Sequence, residues 1–247
     1  MSRIDELIEI IKQSNNIVFF GGAGVSTESN IPDFRGATGL YTKKETTIPT
    51  EEILSSHFFF NDPQAFYDFY FAKMVYPTAV PNACHLALAK LESMGKLKAI
   101  VTQNIDGLHQ KAGSKNVLEL HGSIQRNTCL KCGAHYDLDY MLTFKGKGVP
   151  KCAKCGGIVK PDVVLYEEAL DDATVMAAIR VIAKADVLIV GGTSLVVYPA
   201  ASFVEFFKGK HLILINEKPT PMDENFEFII KEKLGVVFTR IMEEITN

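Results

Sequence analysis

Six short, mainly apolar runs recur along the chain: Ile17-Val18-Phe19-Phe20, Ala99-Ile100-Val101, Val117-Leu118-Glu119-Leu120, Val163-Val164-Leu165, Val187-Leu188-Ile189-Val190 and Leu212-Ile213-Leu214-Ile215. A strand that is apolar at successive positions is one covered on both faces. Helical patterns lie between these runs. Ile4, Leu7, Ile8 and Ile11 repeat at helical spacing behind Ser2, with Asp5 placed for a capping box. Cys84 to Met94 is entered through Pro81-Asn82, and Ala173 to Ala183 through Asp171-Asp172. Strand alternating with helix predicts an α/β fold: a Rossmann-like, doubly wound parallel sheet of six strands.

Two stretches break that rhythm. Residues 34–78 are rich in aromatics and read as a loop followed by a small helical insertion. Residues 123–160 contain two Cys-x-x-Cys pairs and are too poor in aliphatics to form a core alone. The expected division is therefore 1–33, 79–122 and 161–247 for the sheet domain, with 34–78 and 123–160 as two insertions that form a small domain.

Cys129-x-x-Cys132 and Cys152-x-x-Cys155, with residues 133–151 between them, have the spacing of a four-thiolate zinc ribbon. Four protein ligands leave no position for water, so one zinc ion is expected to hold the insertion together and to take no part in catalysis. His135 is read as a surface bystander, and the fifth cysteine, Cys84, as a small buried hydrophobe. The ribbon's lysines outnumber its acids, but four thiolates on zinc contribute about −2 and no aromatic stacking platform is expected, so nucleic-acid binding is disfavoured.

Charge supports small-molecule or protein partners. With 26 basic and 29 acidic residues the net charge is −3, which offers no general attraction for nucleic acid or an anionic membrane. The N-terminal segment carries Asp5 and Glu6 where a signal peptide is basic, and no apolar run reaches the ~18 residues of a span, so a cytoplasmic protein without membrane association is expected.

Gly22-Ala23-Gly24 follows the first strand, as in loops that bring backbone amides to a pyrophosphate. Thr27 stands where the dehydrogenase fingerprint has its third glycine, which argues against a standard hydride-transfer fold. Taken together, Gly22-Ala23-Gly24-Val25-Ser26, Ile31-Pro32-Asp33-Phe34-Arg35-Gly36, Thr102-Gln103-Asn104-Ile105-Asp106-Gly107-Leu108-His109, Leu120-His121-Gly122, Pro161-Asp162-Val163-Val164 and Gly192-Thr193-Ser194-Leu195-Val196-Val197-Tyr198-Pro199 resemble sirtuin signatures in their family order. By length and by the Ile215-Asn216 strand end, the chain most resembles the small bacterial members.

That resemblance implies an NAD-dependent protein lysine deacetylase or deacylase, which releases nicotinamide and transfers the acyl group to ADP-ribose. It implies His121 as the general base, also in contact with the cofactor, and Asn104 as the second catalytic residue, holding the ribose and a water with Gln103. Ile31, Phe34, Ile105 and Asp106 would form the nicotinamide pocket. Thr27 and Arg35 would meet the phosphates, with Ala23 a further cofactor contact. Thr193 and Ser194 would take the adenosine side, Asn216 the adenine ribose and Leu234 the adenine. An acyl-lysine peptide would lie as an added strand between Val164, Leu165, Tyr166 and Glu168 on one side and Leu195, Val196 and Val197 on the other.

Two departures stand out. The family usually has Gly-Glu where this chain has Glu167-Glu168, which leaves that loop's conformation open. Members that remove succinyl or malonyl groups carry Tyr-x-x-Arg where this chain has Tyr70 and Lys73, so acetyl is expected to be preferred over succinyl. The alternatives are mono-ADP-ribosyl transfer to protein from the same NAD pocket and a zinc-ribbon nucleic-acid or scaffold module. His57, His85, His109 and His211 receive no catalytic role.

Overall fold

Five of the six apolar runs are strands of one parallel sheet in the computed structural model, which describes residues 2–34, 39 and 48–245. The strands of the chain are Ile17–Gly21 (β1), Leu97–Thr102 (β2), Val117–Glu119 (β3), Gly122–Cys129 (β4), His135–Tyr136 (β5), Val159–Val163 (β6), Val187–Gly191 (β7), His211–Ile215 (β8) and Phe228–Ile230 (β9). The large sheet runs β3-β2-β1-β7-β8-β9, and each of its pairings is parallel.

Successive side chains of a strand point to opposite faces, and β1 shows the result. Ile17 and Phe19 enter a core with the helices Arg3–Gln13, Ala83–Ser93 and Leu234–Ile245. Val18 and Phe20 enter the opposite core with the helix Asp172–Lys184 and the 3-10 segment Ala200–Phe206. The helix starts follow the sequence signals. Ser2 and Asp5 form a capping box, Asn82 Oδ1 accepts from the amides of Cys84 and His85, and Asp171 accepts from the amide of Thr174.

The sixth strand differs from expectation. Val163-Val164-Leu165 does not join the parallel sheet, because β6 pairs antiparallel with β4 in a second, three-stranded sheet of order β5-β4-β6. Val159, Pro161 and Val163 are buried while Lys160 and Asp162 are only half-buried, the alternation of a strand with one covered face. The place at the sheet edge is taken by β9, a strand of three residues.

The two stretches that interrupt the α/β rhythm share a core. Helices Ser56–Asn61 and Pro63–Lys73 bring Phe59, Phe66, Tyr67, Tyr70 and Phe71 against Ile124, Met141 and Val159 of the ribbon. Phe59 and Phe66 meet edge to face at 4.9 Å, and the Tyr67 hydroxyl donates to the Val159 carbonyl. The ribbon also carries an aromatic stack that the sequence reading did not expect: Tyr136 and Tyr140 lie 4.2 Å apart. Its hydroxyls are turned to the ribbon itself, Tyr140 donating to the Lys151 carbonyl and Tyr136 lying 3.1 Å from Cys152 Sγ. Among the described residues no helix is long and apolar enough to cross a membrane.

Candidate active site

The strand order reverses between β1 and β7, and the segments leaving the carboxyl ends of all six parallel strands contribute to one cavity of about 560 Å³. A crevice outside the carboxyl ends of the strands, at the point where the order reverses, is where open α/β sheets bind ligands. The floor depends on two loops in contact. Gly24 N–H donates to the Gly192 carbonyl at 2.7 Å, and a Cβ on Gly24 would stand 2.7 Å from Gly192 Cα. The glycines of Gly22-Ala23-Gly24 thus serve a loop-to-loop contact, and a 3-10 helix, Ala23–Ser29, follows them.

His121 lies between β3 and β4. Its Nδ1 is 3.0 Å from the Gln103 carbonyl, which fixes the proton on Nδ1 and leaves Nε2 as the basic nitrogen. Burial lowers its pKa below the ordinary 6.5, against the opposing effect of the Gln103 bond, so the ring is neutral at pH 7. The joint is rigid. Gly122 has φ 74°, a Cβ there would fall 2.0 Å from the Asp162 carbonyl oxygen, and the Val164 amide donates to the His121 carbonyl at 2.9 Å.

Asp106 faces the same cavity with both oxygens engaged. Oδ2 accepts from Ser26 Oγ at 2.6 Å and Oδ1 from the Leu108 amide at 2.8 Å. Burial raises its pKa, and those two bonds oppose the rise. Asn104 Nδ2 donates to the same Ser26 Oγ at 3.1 Å, so Ser26 joins the two residues. Gln103 Nε2 donates to Thr193 Oγ1 at 3.2 Å, and Asn216 Nδ2 to the Lys218 carbonyl at 2.7 Å.

Most of the candidate residues converge on the cavity. Ala23, Thr27, Ile31, Phe34, Gln103, Asn104, Ile105, Asp106, His121, Thr193, Ser194, Asn216 and Leu234 line it, as do Val164, Leu165, Tyr166, Glu168 and Val197. Leu195 and Val196 do not. Leu195 is buried in the core beneath, at φ 53°, and Val196 is exposed. Arg35 lies outside the described residues.

Ser26 and Glu28 were missed as site residues. The signal for Ser26 was its place in the glycine loop motif. Glu28 Oε2 accepts from the Gly235 amide at 2.7 Å, beside Leu234, and no local pattern points to that contact.

The four paired cysteines form a separate centre. Their sulfurs all lie within 4.8 Å of one another, with Cys129 to Cys155 at 3.5 Å and Cys132 to Cys152 at 3.6 Å. Zn–S bonds of ~2.3 Å give a tetrahedral edge of ~3.8 Å, so the donor set fits zinc. His135 is outside the cluster, its Nδ1 3.1 Å from Thr128 Oγ1. None of the four cysteines lines the cavity, which makes the metal structural. Cys84 is buried, and burial pushes its thiol pKa well up.

A model of the Sir2 family matches residues 22–199. The NAD-dependent protein deacetylase of Clostridium perfringens (strain 13 / Type A) is 59% identical over 243 residues, 98% of this chain and 99% of that one. A solved structure of Sir2 with a p53 peptide and NAD+ has a TM-score of 0.86 at 35% identity, covering 100% of this chain and 99% of that one. Another, of Sir2 with deacetylated p53 peptide and 3'-O-acetyl ADP ribose, has a TM-score of 0.89 at 35% identity and covers 98% of each chain. Nearly full coverage, a switch-point cavity and a ribbon with four convergent thiols agree: the chain belongs to the Sir2 family.

Proposed function

We propose that the protein is an NAD-dependent protein lysine deacylase that releases nicotinamide and transfers the acyl group to ADP-ribose. The observation that carries this is a half-buried histidine whose Nδ1 is held by the Gln103 carbonyl, in one cavity with the half-buried Asp106 carboxylate and the Val164–Glu168 segment. NAD, when bound, supplies the bond that breaks to free nicotinamide and the ribose hydroxyls that accept the acyl group.

The chain's own residues do the rest. Asp106, with the Ile105 backbone, holds a carboxamide: each carboxylate oxygen keeps a lone pair beyond its bond to Ser26 or Leu108. Ile31 and Phe34 wall that pocket. His121 Nε2 takes a proton from a ribose hydroxyl, and the Gln103 carbonyl stabilises the charged ring that results. Asn104, tied to Ser26, orients the ribose and a water, with Gln103 beside it. Ala23, Thr27 and Arg35 serve the phosphate end, Thr193, Ser194 and Asn216 the adenosine and its ribose, and Leu234 the adenine. The acyl-lysine peptide lies between Val164–Glu168 and Val197, excluding water from the reacting carbonyl.

In this reading 1–33, 79–122 and 161–247 bind NAD, 34–78 supplies the cofactor loop and helical insertion, and 123–160 is the ribbon. A cytoplasmic location belongs to the same proposal and rests on thiols kept free for metal instead of joined as disulfides. Incubation with NAD and an acetyl-lysine peptide is expected to yield nicotinamide and acetylated ADP-ribose in equal amounts. ADP-ribose retained on protein assigns the transferase alternative, and no nicotinamide release overturns the reading.

A further inference from the structure

Glu167 is at odds with its backbone. Its φ of 75° lies in the left-handed region, where a Cβ is disfavoured and glycine is the ordinary occupant. A side chain retained in such a place points to a use for that side chain. Both carboxylate oxygens are engaged by one residue: Oε2 accepts from the His57 backbone N–H at 3.1 Å, and Oε1 lies 2.7 Å from His57 Nδ1. Ser55 Oγ stands 3.1 Å from the same Nδ1. These contacts join the start of the helix Ser56–Asn61 to the segment that leaves β6, 110 positions apart in sequence.

The main chain is joined at the same point. Tyr166 N–H donates to the Leu54 carbonyl and Ser56 N–H to the Tyr166 carbonyl, each at 3.0 Å. The next acid turns back toward the ribbon: Glu168 Oε2 accepts from the Leu165 amide at 2.9 Å and from Lys160 Nζ at 3.2 Å. Glu167 and Glu168 both line the cavity, whereas His57 stands behind its rim.

We propose that Glu167 and His57 form a clasp that positions the peptide-binding segment Val164–Glu168 against the helical insertion, which makes Glu167 a positioning residue for the acyl-peptide and not a contact of NAD. The inference rests on the peptide placement proposed above. An exposed ion pair by itself contributes little to stability, and these side chains are about half exposed, at 52% and 51%. The clasp acts on geometry: a segment already held in its bound shape loses less freedom when a peptide pairs with it.

The test uses the full-length enzyme with NAD and an acetyl-lysine peptide, and the variants Glu167→Gly, His57→Ala and the double variant. Glycine suits φ 75°, so Glu167→Gly removes the clasp without adding strain. Glu167→Gly is expected to raise the peptide KM several-fold, the scale of an exposed charged pair, and His57→Ala, which keeps the backbone N–H bond, by less, with kcat and the NAD KM within about twofold. The double variant is expected to be no worse than Glu167→Gly, because that substitution already removes both bonds of the clasp, whereas His57→Ala leaves the backbone N–H bond to Oε2. Glu167→Gln, which keeps an acceptor for the His57 amide, is expected to recover part of the loss. Additive effects, an unchanged peptide KM, or an equal rise in the NAD KM would overturn the clasp. Amide exchange over residues 164–168 needs no turnover and is expected to quicken in each single variant; unchanged exchange overturns the clasp on its own. Absence of turnover by the unmodified enzyme counts against the deacylase reading and leaves the exchange result to decide the clasp.

Discussion

The parallel sheet and the small domain of ribbon and helices hold together by different means. In the sheet, β1 and β7 are buried at every residue and covered by aliphatic side chains from helices on both faces. The small domain has a single core in which interlocked aromatics of the helices meet aliphatic side chains of the ribbon, with the four thiols at its far side. Burial of apolar surface suffices for the first. In the second, a zinc held by the four thiols would fasten the two Cys-x-x-Cys turns at the end of that core. The two regions should therefore fail under different insults, although the proposed active site draws on both.

The largest expected effect tests that fastening. Removing the metal with a chelator, or Cys129→Ala, should abolish activity and speed amide exchange throughout residues 122–163, while β1 and β7 stay protected; structural zinc sites contribute ~10–16 kcal/mol of apparent binding energy. A metal-free protein with unchanged ribbon protection and melting temperature would erase the contrast.

His121→Ala should next cost about 10²- to 10⁴-fold in kcat/KM, the usual contribution of a positioned base, and leave NAD affinity and ribbon exchange nearly unchanged. Because burial lowers the His121 pKa, the neutral base persists below pH 6.5, and the acid limb of kcat/KM should lie under that value. A limb at or above it would contradict a ring whose pKa is lowered by its surroundings.

Acid should attack the sheet domain through another pair. His85 and His109 are buried with ring centroids 4.8 Å apart. Burial pushes His85 down to about 4, and burial with the neighbouring His85 pushes His109 down to about 3. The unfolded chain binds protons at these groups near pH 6.5 and the folded chain does not. Their contribution to stability is thus full above about pH 6.5 and falls as the pH drops toward 4. The melting temperature should decline over that window, and His109→Gln should flatten the decline. An equal slope in the variant would remove this pair from the account.

The smallest effect concerns the helix Pro63–Lys73 of the small domain. Tyr70 and Lys73 line the cavity, and a lysine offers a point charge without the planar fork of arginine. The kcat/KM for acetyl-lysine peptide should exceed that for succinyl-lysine peptide, and Lys73→Arg should narrow the gap several-fold. A preference for succinyl in the unmodified protein would mean that the aromatic core shapes the acyl pocket differently.

Local signals were the legible ones. Ser2 with Asp5, Asn82 and Asp171 marked helix starts through bonds that span at most three residues. The apolar runs marked five strands, and the cysteine spacing marked the metal centre. What remained hidden depends on distant partners. Val163-Val164-Leu165 looks like a buried strand until its alternating neighbours meet β4, and β9 is too short to stand out after Glu227. Ser26 became a hub only because Asp106 and Asn104 fold onto it. The shared core is equally non-local, since it joins two segments separated in the chain by β2 and β3.

One bond described above, from the Val164 amide to the His121 carbonyl, ties the proposed peptide strand to the proposed base. Any coupling between two sites so joined is reciprocal. If seating a peptide shifts the protonation equilibrium of His121, then protonating His121 shifts peptide affinity by the same factor. The number of protons taken up or released on peptide binding, measured by calorimetry in buffers of different ionisation enthalpy, should equal the slope of log Kd against pH. Equality at a value other than zero would make the acidity of the base a property of the enzyme–peptide complex and not of the imidazole alone.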